Sequence, residues 1–394
     1  MLGFYCSRQL LLLKCRMTQL GFLRQNGFFI VKSFTSVAIS HSSEGPEEGK
    51  HSFTISYLIN SCGLSTKSAI LASKRLHFER PVKPDSVLHL LKENGFTNSQ
   101  ISQLVRIQPS LLLCDPKKIL LPKIEFFRSI GFSCSDLPRI LSSNPSLLGR
   151  SLEKRLIPCL DFLKSVVLED EKVVLIVKRA PRVIQFDLRN NMIPNIELLR
   201  QLGVPQSSIT YLVTNSPSSV LIQHTRFAEA VLEVKEMGFN PSKIVFVVAI
   251  HAFTKTTKSK LESKLELYKR WGWSKEIALL AFKRHPNCML LSDEKITKTM
   301  DFLVNEMSRS SLNISRNPTV INCSLEKRII PRCSVIQILL AKGLVKSDLS
   351  SSSFILPGER CFLDKFVIKF QDVVPELQNV YRAKMHLSGL GNAV

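Results

Sequence analysis

Ten cysteines and eight histidines occur in this chain of 394 residues, yet there is no C-x-x-C pair and no Cys/His alternation at zinc spacing. Structural zinc and dithiol chemistry lose their usual ligands, and the cysteines read as small core residues and reduced thiols. Glycine is scarce, 16 residues in all. None of it forms a Gly-rich phosphate loop or a G-x-S-x-G nucleophile elbow, and no acidic pair repeats, so an enzyme reading has no residues to stand on. No cofactor, metal or small-molecule substrate is expected. Low-complexity tracts are missing as well. The longest early apolar run, residues 10–13, is far short of the ~20 residues a membrane helix needs, so no membrane partner is expected.

Acidic residues are absent from the first 43 positions, where Arg8, Lys14, Arg16, Arg24 and Lys32 are spread among Leu, Phe and Ser. That pattern predicts an organelle transit peptide over 1–45, with 42–50 as the linker. A basic disordered tail is the plainer alternative. Charges scattered through the segment disfavour a secretory signal, and sparse Ser and Thr before Ser33 favour the mitochondrion over the chloroplast.

Regular spacing dominates the remainder. Pro109, Pro145, Pro181 and Pro217 stand 36 residues apart, each opening a Pro-x-x-aliphatic segment such as Pro109-Ser110-Leu111-Leu112. Gly95, Gly131, Gly203 and Gly272 each precede a proline of this series by 14 residues, Gly238 precedes Ala252 by the same count, and Val167 stands in before Pro181. Counting back from each anchor, apolar residues recur at minus 8, minus 5 and minus 4: Ile101, Leu104, Val105; Leu137, Ile140, Leu141; Val173, Ile176, Val177; Ile209, Leu212, Val213; Ile244, Val247, Val248. This i, i+3, i+4 stripe is one face of an amphipathic helix. Proline ends that helix, because it has no N–H and drives the preceding residue from the α region.

A second helix follows each turn. Asp115, Ser151, Asp187 and Ser324 are good N-caps, each seven residues before a further proline, at Pro122, Pro158, Pro194 and Pro331, which should kink or split the element. The expected fold is all-α: a curved α-solenoid of about seven to eight repeats of 32–36 residues, spanning 52–340 and closed by a C-terminal segment over 341–394.

Charge points to the partner. The chain has 54 Lys and Arg against 32 Asp and Glu, and without the five leader cations it still has 49 against 32, or +17. Residues at one repeat phase share one stripe of a solenoid, and two phases are basic. One, at the start of the second helix, holds Lys117, Lys118, Lys154, Arg155, Arg189, Lys327 and Arg328, with Lys123 and Arg332 directly after their prolines. The other, just before the anchor proline, holds Arg106, Lys178, Arg179, Lys283, Arg284 and Arg316. Two such rails suit a polyanion, and helices packed at ~8–10 Å would pass roughly three nucleotides per repeat at ~3.4 Å each. The plainer reading makes them solvated faces offset by Glu125, Glu153 and Glu326. Cations at a helix start oppose its macrodipole, however, and need another reason to be there. Trp271 and Trp273 could stack on bases, but they flank Gly272 at a unit closure, where packing is the expected role.

The Pro-x-Leu-Leu anchor, the Leu-Glu-Lys-Arg-Leu-Ile-Pro string at 152–158, its echo at 325–333 and the Gly-Phe closures together resemble the mitochondrial transcription termination factor family in its land-plant branch. The resemblance runs over about residues 53–382 and includes segments 362–367 and 374–377. It implies a curved helical solenoid whose basic concave face holds double-stranded DNA or structured RNA in mitochondria or plastids, in transcription, its termination, or RNA maturation including intron splicing. It also implies backbone-contacting roles for Lys118, Lys154, Arg155, Lys327 and Arg328. The chain departs from the pattern at Ala252-Phe253, in the charged run 255–264 and in the shortened unit before Pro318. Pentatricopeptide arrays repeat at a similar ~35 residues but have no reason for prolines at both places. A tetratricopeptide-like protein scaffold is the remaining alternative.

Overall fold

The computed structural model describes residues 48–184 and 188–390; the leader expected over 1–45 and the cap expected at Asp187 lie outside them. The helices from Gly49 onward belong to one unit. Among the described residues there is no strand, and no helix is long and apolar enough to cross a membrane. The fold is an α-solenoid of helical hairpins. Its first helices are Thr66–Ser73, Asn98–Ile107, Asp136–Ser143, Asp170–Arg179, Gln206–Asn215, Ile244–Lys255, Lys275–Arg284 and Ser311–Arg316.

The prolines set the helix ends. Residues Gln108, Asn144, Ala180, Ser216, His285 and Asn317, each just before an anchor proline, share φ between −132° and −148° and ψ between 53° and 86°. These values lie outside the α region, which a following proline ring disfavours for the residue before it. Ala252 supplies the internal control, since helix Ile244–Lys255 runs straight through it. After each proline a short turn inserts two adjacent side chains into the core: Leu111 and Leu112, Leu147 and Leu148, Val183 and Ile184, Val320 and Ile321. A fully buried aliphatic side chain of this kind contributes about 1.5–3 kcal/mol.

At Pro122, Pro158 and Pro331 the element divides into a short π-helical piece and a longer α-helix that continues from it, Pro116–Leu120 into Leu121–Ser129, Leu152–Leu156 into Ile157–Val167 and Leu325–Ile329 into Ile330–Ala341. Four second helices open with a widened turn in which the residue before proline donates five residues back: Leu121 to Pro116, Ile157 to Leu152, Ile330 to Leu325, and Ile193 to Leu188. Such a π turn gives the ring room where an α turn would drive it into the carbonyl four residues earlier.

The predicted stripes are buried in four of the five first helices. In Ile244–Lys255 the helix is rotated, so Phe246, Val247 and Ile250 face the core and Ile244 is exposed. Without the proline, no fixed end sets that helix's register. The stand-in for glycine is also corrected: Val167 is buried at a helix end, and Leu168 takes the left-handed backbone with φ 64°, matching Gly131 and Gly203 at 99° and 70°.

Candidate nucleic-acid interface

The second helices begin with a repeated geometry. Side-chain oxygens of Asp115, Ser151, Thr257, Ser292 and Ser324 accept from the backbone N–H three residues on, at Lys118, Lys154, Lys260, Lys295 and Lys327. The helix His224–Glu236 has Arg226 at the same third position. A glutamine there closes a capping box at the first helix Asn98–Ile107, where Gln100 reaches back to the N–H of Thr97. A lysine or arginine can accept nothing, so six second helices forgo that bond. A cation in the first turn also opposes the macrodipole, by about 0.3–1 kcal/mol.

Lys118, Lys154, Arg226, Lys260 and Lys327 are exposed. Lys118, Lys154, Lys260 and Lys327 have no carboxylate within 4.0 Å among the described residues, and Glu125, Glu153 and Glu326 pair with none of them. Arg226 reaches only the carbonyl of Thr256, at 3.4 Å. Lys295 is half-buried and donates to Asn322 O at 3.0 Å. The neighbours Lys117 and Arg155 are exposed and have no carboxylate within 4.0 Å among the described residues, Arg189 is exposed, and Arg328 is half-buried with a bond to Pro357 O at 2.9 Å.

Two expected contacts are corrected. Lys123 is 6% exposed and donates to Leu148 O in the next unit's turn, and burial pushes its ammonium below the usual value. Arg332 is 0% exposed: one guanidinium nitrogen donates to the carbonyls of Phe354, Ile355 and Pro357 at 3.0, 3.0 and 2.7 Å, and the other meets Glu359 at 2.9 Å. Asn195 has the equivalent role, donating to Val220 O and Ile222 O at 3.1 and 3.0 Å. These side chains staple one unit to the turn of the next.

The phase before the anchor proline is partly structural as well. Arg179 donates to Thr214 O at 2.9 Å and Arg284 to Ser315 O at 3.5 Å, each capping the next unit's first helix, while Arg75 reaches Ile107 O at 3.3 Å. Lys178 pairs with Asp136 at 2.5 Å, whereas Lys283 is exposed. Trp273 is buried, stacked on Tyr268 at 4.5 Å, with its N–H on Ser311, which leaves it no face for a base.

Sequence reasoning missed Arg226, Lys260 and Lys295 because their helices lack the second proline used to set the register. The cap three residues earlier was the available signal at Thr257 and Ser292. Among the described residues no group of His, Cys, Asp and Glu is placed to hold a metal ion.

Stacked hairpins with a phased row of cations at the second-helix starts define a helical-repeat protein. The chain belongs to the mTERF family, whose sequence profile matches residues 88–299 and 249–362. Over 150 residues it is 25% identical to transcription termination factor MTERF15, mitochondrial, of Arabidopsis thaliana. That match covers 37% of this chain and 33% of the relative, so the chain spans about a third of that curated relative's length.

Proposed function

We propose that this protein is an organellar nucleic-acid-binding factor acting in mitochondrial gene expression, and that it holds double-stranded DNA or structured RNA along the row of cations at the second-helix N-termini. The observation that carries the reading is the third-position cation of six second helices, kept where both capping and the macrodipole disfavour it. Membership of the mTERF family and the likeness to a mitochondrial termination factor support the same assignment. The protein acts by binding, with no catalytic step of its own.

Phosphate contacts supply most of the affinity and little of the sequence choice, which comes from nucleic-acid shape or a few base edges. The test is a binding titration on organellar duplex DNA and structured RNA at 50 and 200 mM salt. With about seven phosphates neutralised, affinity falls about 10³ to 10⁵-fold across that range. Replacing Lys118, Lys154, Lys260 and Lys327 by Glu lowers the salt slope by about four and leaves helical content intact. Unchanged affinity and slope in that variant would remove the row from the interface, and a flat salt response would favour a protein-binding scaffold.

A further inference from the structure

Six turns of the array bury an adjacent pair of residues, and in four of them both are branched aliphatic. Two residues after Pro109, Pro145, Pro181, Pro217, Pro286 and Pro318 begins a buried pair. The unit with Ala252 lacks this turn. Its equivalent positions are Thr254, half-buried, and Lys255, exposed, and its helix continues through the segment that turns elsewhere. Val231 on the preceding helix stands at the register of Lys123, Asn195 and Arg332 and has no donor to catch a turn.

A cleft of about 500 Å³ is lined in part by this segment, at Ala252, Phe253, Thr256 and Thr257. Ala230, Met237, Phe253, Leu261, Phe282 and Met289 line it. Its mouth has charges of both signs: Arg226 and Lys258 start the helices His224–Glu236 and Lys258–Lys269, and Glu233 and Glu236 end the first of these. None of the four is in an ion pair within 4.0 Å among the described residues.

We propose that this cleft is a docking site for a segment of a partner protein that presents two adjacent branched aliphatic side chains, with a basic residue before them and an acidic residue after. The aliphatic pair takes the place of the turn that this unit lacks and that four other units fill with branched aliphatic pairs. The flanking charges complement the mouth, the carboxylate meeting Arg226 and Lys258 and the cation meeting Glu233 and Glu236. The array's own segment 106–115 has this chemistry, running from Arg106 through Leu111 and Leu112 to Asp115.

The probe is a labelled synthetic peptide of residues 106–115 with Ser in place of Cys114, titrated against the full chain by fluorescence anisotropy. Saturable binding is expected, weakened at least tenfold by Ala230→Trp, which fills the cleft, and by Leu111→Asp with Leu112→Asp in the peptide. Nucleic-acid affinity stays as in the parent for Ala230→Trp. The triple variant Ala252→Pro, Thr254→Leu, Lys255→Leu, which rebuilds the internal turn, also loses the peptide, and it decides the matter should Ala230→Trp lose its helical signal. The proposal is overturned by an absence of saturable binding at millimolar peptide, by equal binding of the Asp-substituted peptide, or by undiminished binding to the triple variant. A drop in nucleic-acid affinity for Ala230→Trp would assign the cleft to nucleic acid instead, and self-association abolished by that substitution would make the occupant a second copy of the chain; either result overturns it.

Discussion

Replacing Arg332 by Met should loosen the C-terminal closing segment and leave the nucleic-acid salt slope alone. The guanidinium is fully buried, donates to three main-chain carbonyls, meets Glu359 at 2.9 Å and lies 4.7 Å over the ring of Phe362. Methionine retains most of the apolar stem but donates nothing. The carbonyls of Phe354 and Ile355 then lose the only side-chain donor that reaches them among the described residues, while Pro357 O retains Arg328 and Glu359 retains Tyr381 at 2.7 Å. Each orphaned buried acceptor costs about 1–3 kcal/mol. The two shared one donor nitrogen, and Glu359 is half exposed and can rehydrate, so the total is about 3–4 kcal/mol, near the low end for breaking a buried pair. Solenoids open locally, so the readout is hydrogen exchange across 351–385, where protection should fall about 10² to 10³-fold at 1.36 kcal/mol per decade. The parallel variant Lys327→Glu should do the reverse, weakening nucleic-acid binding with unchanged protection. Unaltered exchange in 351–385 together with lost binding in Arg332→Met would refute the structural assignment of this arginine.

Leu168→Gly should stabilise the array by about 1 kcal/mol in denaturant unfolding, since leucine bears the cost of a left-handed backbone and its side chain is 69% exposed; a lower midpoint would refute this. Asn195→Leu should cost about 1–3 kcal/mol, because Val220 O and Ile222 O lose their donor and His224 loses the Asn195 oxygen 2.8 Å away; an unchanged midpoint would show those carbonyls satisfied otherwise. Lys178, with Ser133 and Arg139, holds the Asp136 carboxyl well below the ordinary carboxylate range. A depressed folded pKa contributes stability above the unfolded value of about 3.9 that is lost as pH falls toward the folded one. Asp136→Asn should therefore lower stability at pH 7 and converge on the parent at low pH, flattening the acid limb of a pH–stability profile; identical acid limbs would count against the pairing.

Much of this architecture was readable from proline placement alone. A ring that removes a donor and restricts its neighbour acts locally, so Pro109, Pro145, Pro181 and Pro217 report helix ends without tertiary information. The rotated helix at 244–255 was beyond that reasoning because the register had been counted back from Ala252, which imposes no end. The interface was only half visible for a related reason. Repeat phase says which residues share a stripe, and it does not say whether a long side chain on that stripe points outward or reaches the next unit. Lys123 and Arg332 looked like their exposed neighbours Lys118 and Lys327, yet main-chain carbonyls of the following turn draw them inward. In the other direction, Lys260 and Arg226 belong to the cation row, but their helices start without the proline that marked the rest.

The staples between units end on main-chain carbonyls of the following turn, at Leu148, Val220 and Phe354. A carbonyl is present whatever residue bears it, so a donor evolved in one unit can grip any successor that turns in the same way. An array joined like this can lengthen by duplicating a hairpin, or drift in sequence at the turn, without a matching change in its neighbour. A junction held this way escapes the pairwise co-adaptation that a side-chain ion pair such as Lys178–Asp136 imposes.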